Sequence, residues 1–185
     1  MKLSAILTAL IPMGTAFVLS ACGAGDRSLR IGDPDEDRAD ETVARTEDKV
    51  TLPPFPIDDR LLEVLIGGAS PNQYFVDPAS ITIGEDWVVR FTSVIRSRSG
   101  ARTISYEGMD CTDYEYKLYA TGRPDGSWSE VKRPEWKHIR FTEVNRHRIV
   151  LFSDFFCPKK VPVRSTEEAV RALKAGGHAR AQDSY

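Results

Sequence analysis

Residues 105–122 constrain the fold more than any other stretch, because their side-chain character alternates with a period of two. One face of the second half collects Tyr114, Tyr116, Leu118 and Ala120, and the other collects Asp113, Glu115, Lys117 and Tyr119. This alternation is typical of a half-buried β-strand. The stretch therefore predicts a strand that enters up to a break near Gly108, followed by a second strand that leaves from Cys111.

Turn sequences on both sides extend this pattern into an antiparallel meander. Residues 98–100 (Arg-Ser-Gly) and 124–126 (Pro-Asp-Gly) supply glycine where hairpin turns need a positive φ. Strands are predicted over residues 74–76, 80–83, 87–96, 103–106 and 127–131, while residues 61–66 fit either a strand or a short helix. In the strand at 87–96, Trp87, Val89, Phe91 and Ile95 share one face.

Two helices complete the prediction. Thr142 caps one that runs to about Phe156 with Val144, Leu151 and Phe155 on one side, although a strand over residues 149–156 is the competing interpretation. Residues 165–168 form a capping box for a second helix, whose thin apolar stripe predicts weak docking. The predicted fold class is α+β: a twisted antiparallel sheet of about six strands, one packed helix, one disulfide and a weakly docked C-terminal helix.

The first 21 residues have the organisation of a bacterial lipoprotein signal peptide. Lys2 precedes an uncharged run, and residues 19–22 read Leu-Ser-Ala-Cys, an aliphatic residue and two small residues before a cysteine. Cys22 is therefore the predicted site of acylation, including palmitate, and its three acyl chains would give a stable membrane anchor. Gly23 rather than aspartate follows, which favours the outer membrane. A plain secreted protein with an incidental cysteine is the alternative.

The remaining cysteines, Cys111 and Cys157, predict one disulfide in an oxidising compartment, with two buried free thiols as the alternative. Residues 22–58 are predicted to be a lipidated flexible tether, since residues 26–60 carry 11 acidic and 6 basic side chains and few aromatics. Residues 59–160 form the predicted α+β domain, and residues 161–185 a C-terminal helix and tail.

Four arginines near one hairpin, Arg90, Arg96, Arg98 and Arg102, are candidate ligand-binding residues. Guanidinium groups suit phosphate and carboxylate, which lipopolysaccharide and peptidoglycan both offer. A solvated sheet face paired with neighbouring acids is the alternative. Tyr106 and Glu107 are further candidates, because Gly108 beside them predicts a bulge or the close approach of another backbone.

The sequence predicts neither a metal centre nor a cofactor. Glu143 and His147 would share a helix face, but no third ligand follows at a suitable spacing, so a surface ion pair is the simpler interpretation. Asp110, Asp113 and Glu115 cluster without a calcium loop and read as a solvated strand end. His178 is expected in a frayed tail. No catalytic triad, phosphate loop or nucleic-acid motif is present in the sequence.

Several blocks of the sequence, in order, resemble the CNP-like family of uncharacterised proteobacterial lipoproteins. They include YFVDPAS at 74–80, GEDWVVR at 84–90, SRSGAR at 97–102, SYEG at 105–108, DGSW at 125–128 and FFCP at 155–158. The resemblance implies an envelope lipoprotein with no assigned activity. A sparser pattern is similar to surface-adhesin E type lipoproteins, which bind host matrix proteins.

These observations predict a non-catalytic outer-membrane lipoprotein whose domain, in the periplasm or exposed at the surface, acts as a tethered binding or structural module of the cell envelope. Its expected partners are the membrane, reached through the lipid on Cys22, and another envelope protein, lipopolysaccharide or peptidoglycan; nucleic acid is not expected. The alternatives are a surface-exposed adhesin and an envelope hydrolase or metal-dependent enzyme.

Overall fold

A seven-stranded antiparallel sheet forms the centre of the protein. The computed structural model describes residues 46–68 and 70–182, apart from the side chains of Glu143 and Gln182, so the predicted signal peptide, Cys22 and most of the predicted tether lie outside the described residues. The strands are β1 (Leu62–Val64), β2 (Gln73–Ile83), β3 (Val89–Arg96), β4 (Arg102–Asp110), β5 (Glu115–Gly122), β6 (Trp128–Glu130) and β7 (Trp136–His138).

Strands β1 to β6 follow one another across the sheet, and β7 pairs with the first half of β5 while β6 pairs with its second half. This topology confirms the predicted antiparallel sheet. Strand β7 was not predicted from the sequence, because its three residues are too short to show a period.

The hairpin of β4 and β5 is the element that the alternating sequence predicted, but its break lies further along the chain. Strand β4 runs through Gly108 to Asp110 without interruption. The turn comes at residues 111–114, where the Asp110 carboxylate accepts hydrogen bonds from the backbone N–H groups of Thr112 (2.7 Å) and Asp113 (3.2 Å). These hydrogen bonds from the turn explain why an aspartate occupies position 110. Cys111 lies in the turn rather than in a strand.

Gly108 is required by a neighbouring side chain. The register of β4 against β5 shifts between Tyr106, which pairs with Ala120, and Glu107, which pairs with Leu118, so Tyr119 is the extra residue of a bulge. A Cβ atom at Gly108 would lie 2.6 Å from the Tyr119 hydroxyl. The predicted bulge is therefore present, and the group that approaches Gly108 is the ring of Tyr119.

Strand β2 joins the two short strands that the sequence predicted into one. Its pairing with β3 is irregular between Asp77 and Thr82, next to Pro78, which cannot donate a ladder hydrogen bond. Ser80 bridges the irregularity: its hydroxyl donates to the Asp77 carbonyl (2.7 Å) and accepts from the Thr92 N–H (2.7 Å).

Trp87 lies outside β3 rather than on its inner face, as the sequence had suggested. Its φ is 59°, and 58 % of its surface is exposed. The positive φ takes the residue out of the period-two pattern, so its side chain points away from the sheet's core.

Helical segments cover one face of the sheet, here called the helix face. A 3₁₀ turn (Glu143–Asn145) leads into α1 (Arg146–Val150), which continues as a π-helical segment (Leu151–Phe156). This confirms the predicted helix over the competing strand. Phe155 and Phe156 are buried, and the ring of Phe156 lies 4.9 Å from that of Phe91, whereas Val144, predicted on the inner side, is 78 % exposed.

The C-terminal helix belongs to the same core. Helix α2 (Thr166–Ala175) begins where Ser165 accepts a hydrogen bond from the Glu168 N–H, which confirms the first half of the capping box, whereas the Glu168 carboxylate accepts from the Arg164 N–H (2.6 Å). Ala169, Ala172 and Leu173 are buried in the core, so the expectation of weak docking is wrong. The two alanines allow close approach to the core, which makes a thin apolar stripe sufficient. A short helix, α3 (Ala179–Gln182), follows.

Residues 46–57, here called the strap, cover the opposite face of the sheet, here called the strap face. Val50 and Leu52 pack against a cluster of Tyr106, Tyr119 and Ala120. Trp128 donates a hydrogen bond from its indole N–H to the Pro53 carbonyl (2.9 Å), and Phe55 packs against the same indole. Residues 46–57 therefore belong to the folded body, which the sequence analysis began at residue 59, and this part of the predicted tether is ordered against the sheet. Within the described ranges, every helix falls short of the length and apolarity that a membrane span requires.

Candidate functional site

A buried carboxylate lies at the centre of the helix face. Glu107 on β4 is 1 % exposed, and the guanidinium of Arg148 on α1 donates to both of its oxygens, from Nε at 2.7 Å and from Nη2 at 2.8 Å. The Ser105 hydroxyl donates to the same carboxylate at 2.6 Å and lies 2.8 Å from the Ser93 hydroxyl. Glu107 is thus held by a bidentate arginine and by a hydrogen-bonded pair of serines on the neighbouring strands β3 and β4.

The charges of this pair stabilise each other. Burial alone would raise the pKa of Glu107, but the hydrogen bonds and charge of Arg148 hold that pKa below its ordinary value. Burial would correspondingly lower the pKa of Arg148, and Glu107 raises it instead. The guanidinium also lies 4.1 Å from the centre of the Tyr116 ring. The arrangement ties α1 to β4 and β5, and it leaves the carboxylate no exposed oxygen for chemistry in solution.

His147 is buried beside this pair instead of forming the surface ion pair that the sequence suggested. Its ring stacks on Tyr74 with centroids 5.4 Å apart, and its Nε2 has no hydrogen-bond partner among the described residues. Burial, helped by the positive charge of Arg148, lowers its pKa to about 4. The imidazole is therefore neutral at pH 7 and serves as an aromatic packing element between α1 and β2.

The strap face holds a second polar cluster, organised by Glu47. Its carboxylate accepts hydrogen bonds from the Lys117 ammonium and the Tyr119 hydroxyl, and it lies 3.5 Å from the Arg90 guanidinium. Arg90 also binds Asp86 through both terminal nitrogens.

The pKa values of this cluster follow from its burial and its charges. Burial works to lower the pKa of Arg90, but Asp86, Tyr119 and Glu47 raise it overall. Burial and the neighbouring Glu47 carboxylate raise the pKa of Tyr119. The cluster therefore fastens the strap to the sheet with charged hydrogen bonds.

The predicted arginine stripe does not form one surface. Arg90 is 4 % exposed and enclosed by the acids just described, and its Nε has no hydrogen-bond partner among the described residues. Arg96 and Arg102 both reach Asp58, at 3.2 and 2.7 Å. Arg98 is exposed in the β3–β4 turn. The structure thus places acids from the segment before the sheet over three of the four arginines.

Tyr106 and Glu107 lie on opposite faces of the sheet. Tyr106 is buried under the strap beside Tyr119, with a pKa that burial raises, while Glu107 points to the helix face. Neighbouring residues of a strand point in opposite directions, so the two cannot belong to one site. The structure brings together none of the six candidates as an open ligand surface, and their role in ligand binding stays a prediction.

The predicted disulfide joins Cys111, in the β4–β5 turn, to Cys157, at the end of the π-helical segment. Both residues are buried, at 2 and 0 % exposure. The bridge therefore fixes the end of the helical segment to the β4–β5 turn, at the end of these two strands.

The described residues contain no group of three or more histidine, cysteine or acidic side chains placed to hold a metal ion. Asp110 is buried and caps the β4–β5 turn. His138 is exposed and lies 3.8 Å from Glu115. His178, expected in a frayed tail, is instead buried against Glu168 at 2.9 Å.

Reasoning from the sequence missed both residues that organise the polar clusters, Glu47 and Arg148. Glu47 looked like one of many acids in the predicted tether, and Arg148 had no visible partner because Glu107 lies 41 residues away. A helical wheel of residues 143–156 was the one available signal, since it places Arg148 one turn before the buried Leu151 and Phe152.

The fold and its polar clusters define a disulfide-bonded α+β module in which a helical layer and an N-terminal strap cover the two faces of one antiparallel sheet. A family model described as the CNP1-like family matches residues 40–174, so the chain belongs to that family. No curated protein and no solved structure matches the chain. The looser similarity to adhesin-type lipoproteins gains no support from these comparisons and stays a prediction.

Proposed function

We infer that this protein is a lipid-anchored, non-catalytic module of the outer membrane that binds or braces another component of the cell envelope. The observation that carries this proposal is the buried Cys111–Cys157 disulfide in a chain that opens with a lipoprotein signal sequence. Disulfides persist in oxidising compartments outside the cytoplasm, so the bond supports export independently of the signal sequence. Acylation of Cys22 then anchors the exported domain.

The polar clusters support a binding or structural role rather than catalysis. Glu107 and Arg148 satisfy each other inside the core, and Glu47 uses its carboxylate to hold the strap. Catalytic acids and bases need a substrate within hydrogen-bond reach, and these groups are turned toward each other. The partner we propose is an envelope protein, lipopolysaccharide or peptidoglycan.

The anchor is tested by metabolic labelling with an alkyne fatty acid in a Gram-negative host that expresses the full chain. We expect the label on the unaltered protein, which should fractionate with the outer membrane, and no label on Cys22→Ser. Ser20→Ala is the matched control, because it keeps a small residue in the cleavage motif and should still be labelled. Equal labelling of Cys22→Ser, or recovery of the unaltered protein in the soluble fraction, would contradict the anchor.

The binding role is tested by chemical cross-linking in living cells, followed by pull-down on a C-terminal tag and quantitative mass spectrometry. One envelope component enriched with the unaltered protein and lost with Cys22→Ser would support a tethered module. Absence of any enriched envelope component would argue against it. Protease treatment of intact cells is the companion measurement, and cleavage of the domain there would favour the adhesin alternative.

A further inference from the structure

An open cleft of about 850 Å³ is lined by residues of the β4–β5 turn, the end of β7 and the π-helical segment. Its apolar wall consists of Tyr114, Phe141, Ile149 and Phe152. The Tyr114 ring meets that of Phe152 edge-on, with centroids 4.4 Å apart, and stacks on Phe141 at 6.5 Å. Phe141 is 84 % exposed, so a large aromatic side chain of this wall faces solvent. The volume is in the range of pockets that bind ligands.

Backbone strain is concentrated in the same cleft. Four residues other than glycine have a positive φ in the described part of the chain, and three of them line this cleft: Tyr114 (59°), Lys159 (57°) and Lys160 (60°). Residues with a Cβ rarely adopt this left-handed conformation, and those that do are found preferentially at binding sites. The chain thus keeps three side chains here at positions where glycine would relax the backbone.

The disulfide joins the two strained segments. Cys111 is the first residue of the turn that ends at Tyr114, and Cys157, which itself lines the cleft, lies two residues before Lys159. Their Cα atoms are 5.2 Å apart. The Tyr114 carbonyl also accepts a hydrogen bond from the Ile139 N–H (3.0 Å), which attaches the chain just after β7. The walls are therefore fixed before a ligand arrives, and this reduces the cost of ordering them on binding.

The charged side chains that line the cleft are of both signs. Lys159 and Lys160 are accompanied by Asp113 and Asp154, so the cleft does not select a polyanion. An occupant that fits needs an apolar group for the rings and charged groups of both signs for the rim. A polypeptide segment supplies all of these in one chain, and an aromatic side chain that fills a pocket is the usual anchor of such contacts.

We propose that this cleft binds a peptide segment of another envelope protein, which places an aromatic side chain against Tyr114, Phe141 and Phe152 and charged residues of both signs at the rim. The proposal rests on the binding role proposed above and names its surface and its class of partner. It does not involve the lipid on Cys22.

The test selects ligands from a display library of random linear peptides on the mature chain with Cys22→Ser. We expect the enriched peptides to share an aromatic residue with an acidic and a basic residue near it. Phe141→Ala should weaken binding of the best synthetic peptide at least about tenfold. Leu65→Ala is the matched control, because Leu65 is 81 % exposed and lies outside the cleft, and it should leave binding within about twofold.

A second variant tests the strained lysines. Lys159→Gly with Lys160→Gly removes both ammonium groups, and glycine accepts both φ values, so we expect a domain at least as stable that binds the peptide at least about fivefold more weakly. A merely structural role of the two lysines would leave the affinity unchanged. A peptide whose acidic residue is replaced by its amide should bind the unaltered and the glycine variants equally, because the charge contact is then absent from both.

The absence of any enriched peptide, or equal losses in Phe141→Ala and Leu65→Ala, would overturn the proposal. So would binding of the dye anilinonaphthalene sulfonate in the cleft without an enriched peptide, since the cleft would then take a small aromatic molecule. A partner that is cross-linked in cells equally by the unaltered protein and by Phe141→Ala would refute the cleft and leave the binding role intact, so the two proposals fail separately.

Discussion

Replacing Arg148 by methionine should unfold this protein far more readily than the loss of a surface ion pair would. Exposed pairs contribute about 0–1 kcal/mol. The Glu107–Arg148 pair is different, because the two side chains are only 1 and 13 % exposed and the contact is bidentate. Methionine leaves the Glu107 carboxylate in the core with Ser105 as its remaining donor. Removing one partner of a buried pair costs about 3–5 kcal/mol, and we expect that loss at pH 7.

The effect of pH gives this prediction its sharpest test. In the unaltered protein the pKa of Glu107 is lowered from 4.5, so the stability that the pair contributes is present above pH 4.5 and is lost as the pH falls through the folded-state pKa. Without Arg148, burial dominates and raises the folded-state pKa above 4.5. The penalty then develops as the pH rises above 4.5, so the difference between the two proteins shrinks when the pH is lowered from 7 to 4.5.

Urea unfolding of both proteins at several pH values measures this difference as a free energy. Arg123→Met is the matched control, because Arg123 is exposed and bonds to Ser129 at the surface, and it should change stability by less than about 0.5 kcal/mol. The double variant Glu107→Gln with Arg148→Met removes both charges and should recover most of the loss. A loss under about 1 kcal/mol that did not vary with pH would refute the assignment of Glu107 as a buried ion.

Three further changes test other parts of the structure. Reducing the Cys111–Cys157 disulfide, which closes a sequence separation of 46 residues, should lower stability by about 4 kcal/mol and reduce the melting temperature; an unchanged temperature would show that the thiols are not bridged. Glu47→Ala should cost about 1–3 kcal/mol by urea unfolding and should speed proteolysis within residues 46–57, since the strap loses its charged hydrogen bonds; unchanged cleavage would mean that other contacts hold the strap. Lys160→Gly should raise stability by about 0.5–1 kcal/mol, because glycine accepts the φ of 60° without strain, and a loss of stability would show that the lysine side chain makes a compensating contact.

The sheet was predictable because its information is local. Alternation in β3 and β5 sets the face of most side chains, and the glycine turns set the hairpins, so most strands and their antiparallel order followed from the sequence. The bulge at Tyr119 is the exception, because it places Ala120 in the same cluster as Tyr119, whereas the alternation had placed them on opposite faces. Both ends of α2 were equally predictable, since Ser165 is its N-cap and Gly176 its C-cap. The prediction that α2 docks weakly was wrong, because a count of its large apolar residues gives too little weight to the alanines that let it pack closely.

The strap was not predictable, because its partners are distant in sequence. Glu47 meets Lys117 and Tyr119, 70 and 72 residues away, and Trp128 meets Pro53 across 75 residues. Locally the strap reads as the polar end of an acidic segment. Two of its apolar residues, Val50 and Leu52, pack against a cluster that only the folded sheet creates.

The candidate ligand residues show the same division between local and distant information. Period-two geometry already separates Tyr106 from Glu107, and it places Arg90, Arg96 and Arg102 on one face. What the hairpin alone cannot show is the origin of the acids that cover them. Those acids lie outside the hairpin, on the strap and around Asp58 and Asp86, so a stripe that looks open in the sequence is largely enclosed in the structure.

The strap also limits how far the domain could move from the lipid that we propose on Cys22. With a free tether to residue 58, a fully extended chain would allow at most about 120 Å, whereas a chain fixed from residue 46 allows at most about 80 Å. Because Glu47 holds residues near 46 against the sheet, releasing Glu47 should lengthen the reach of the domain.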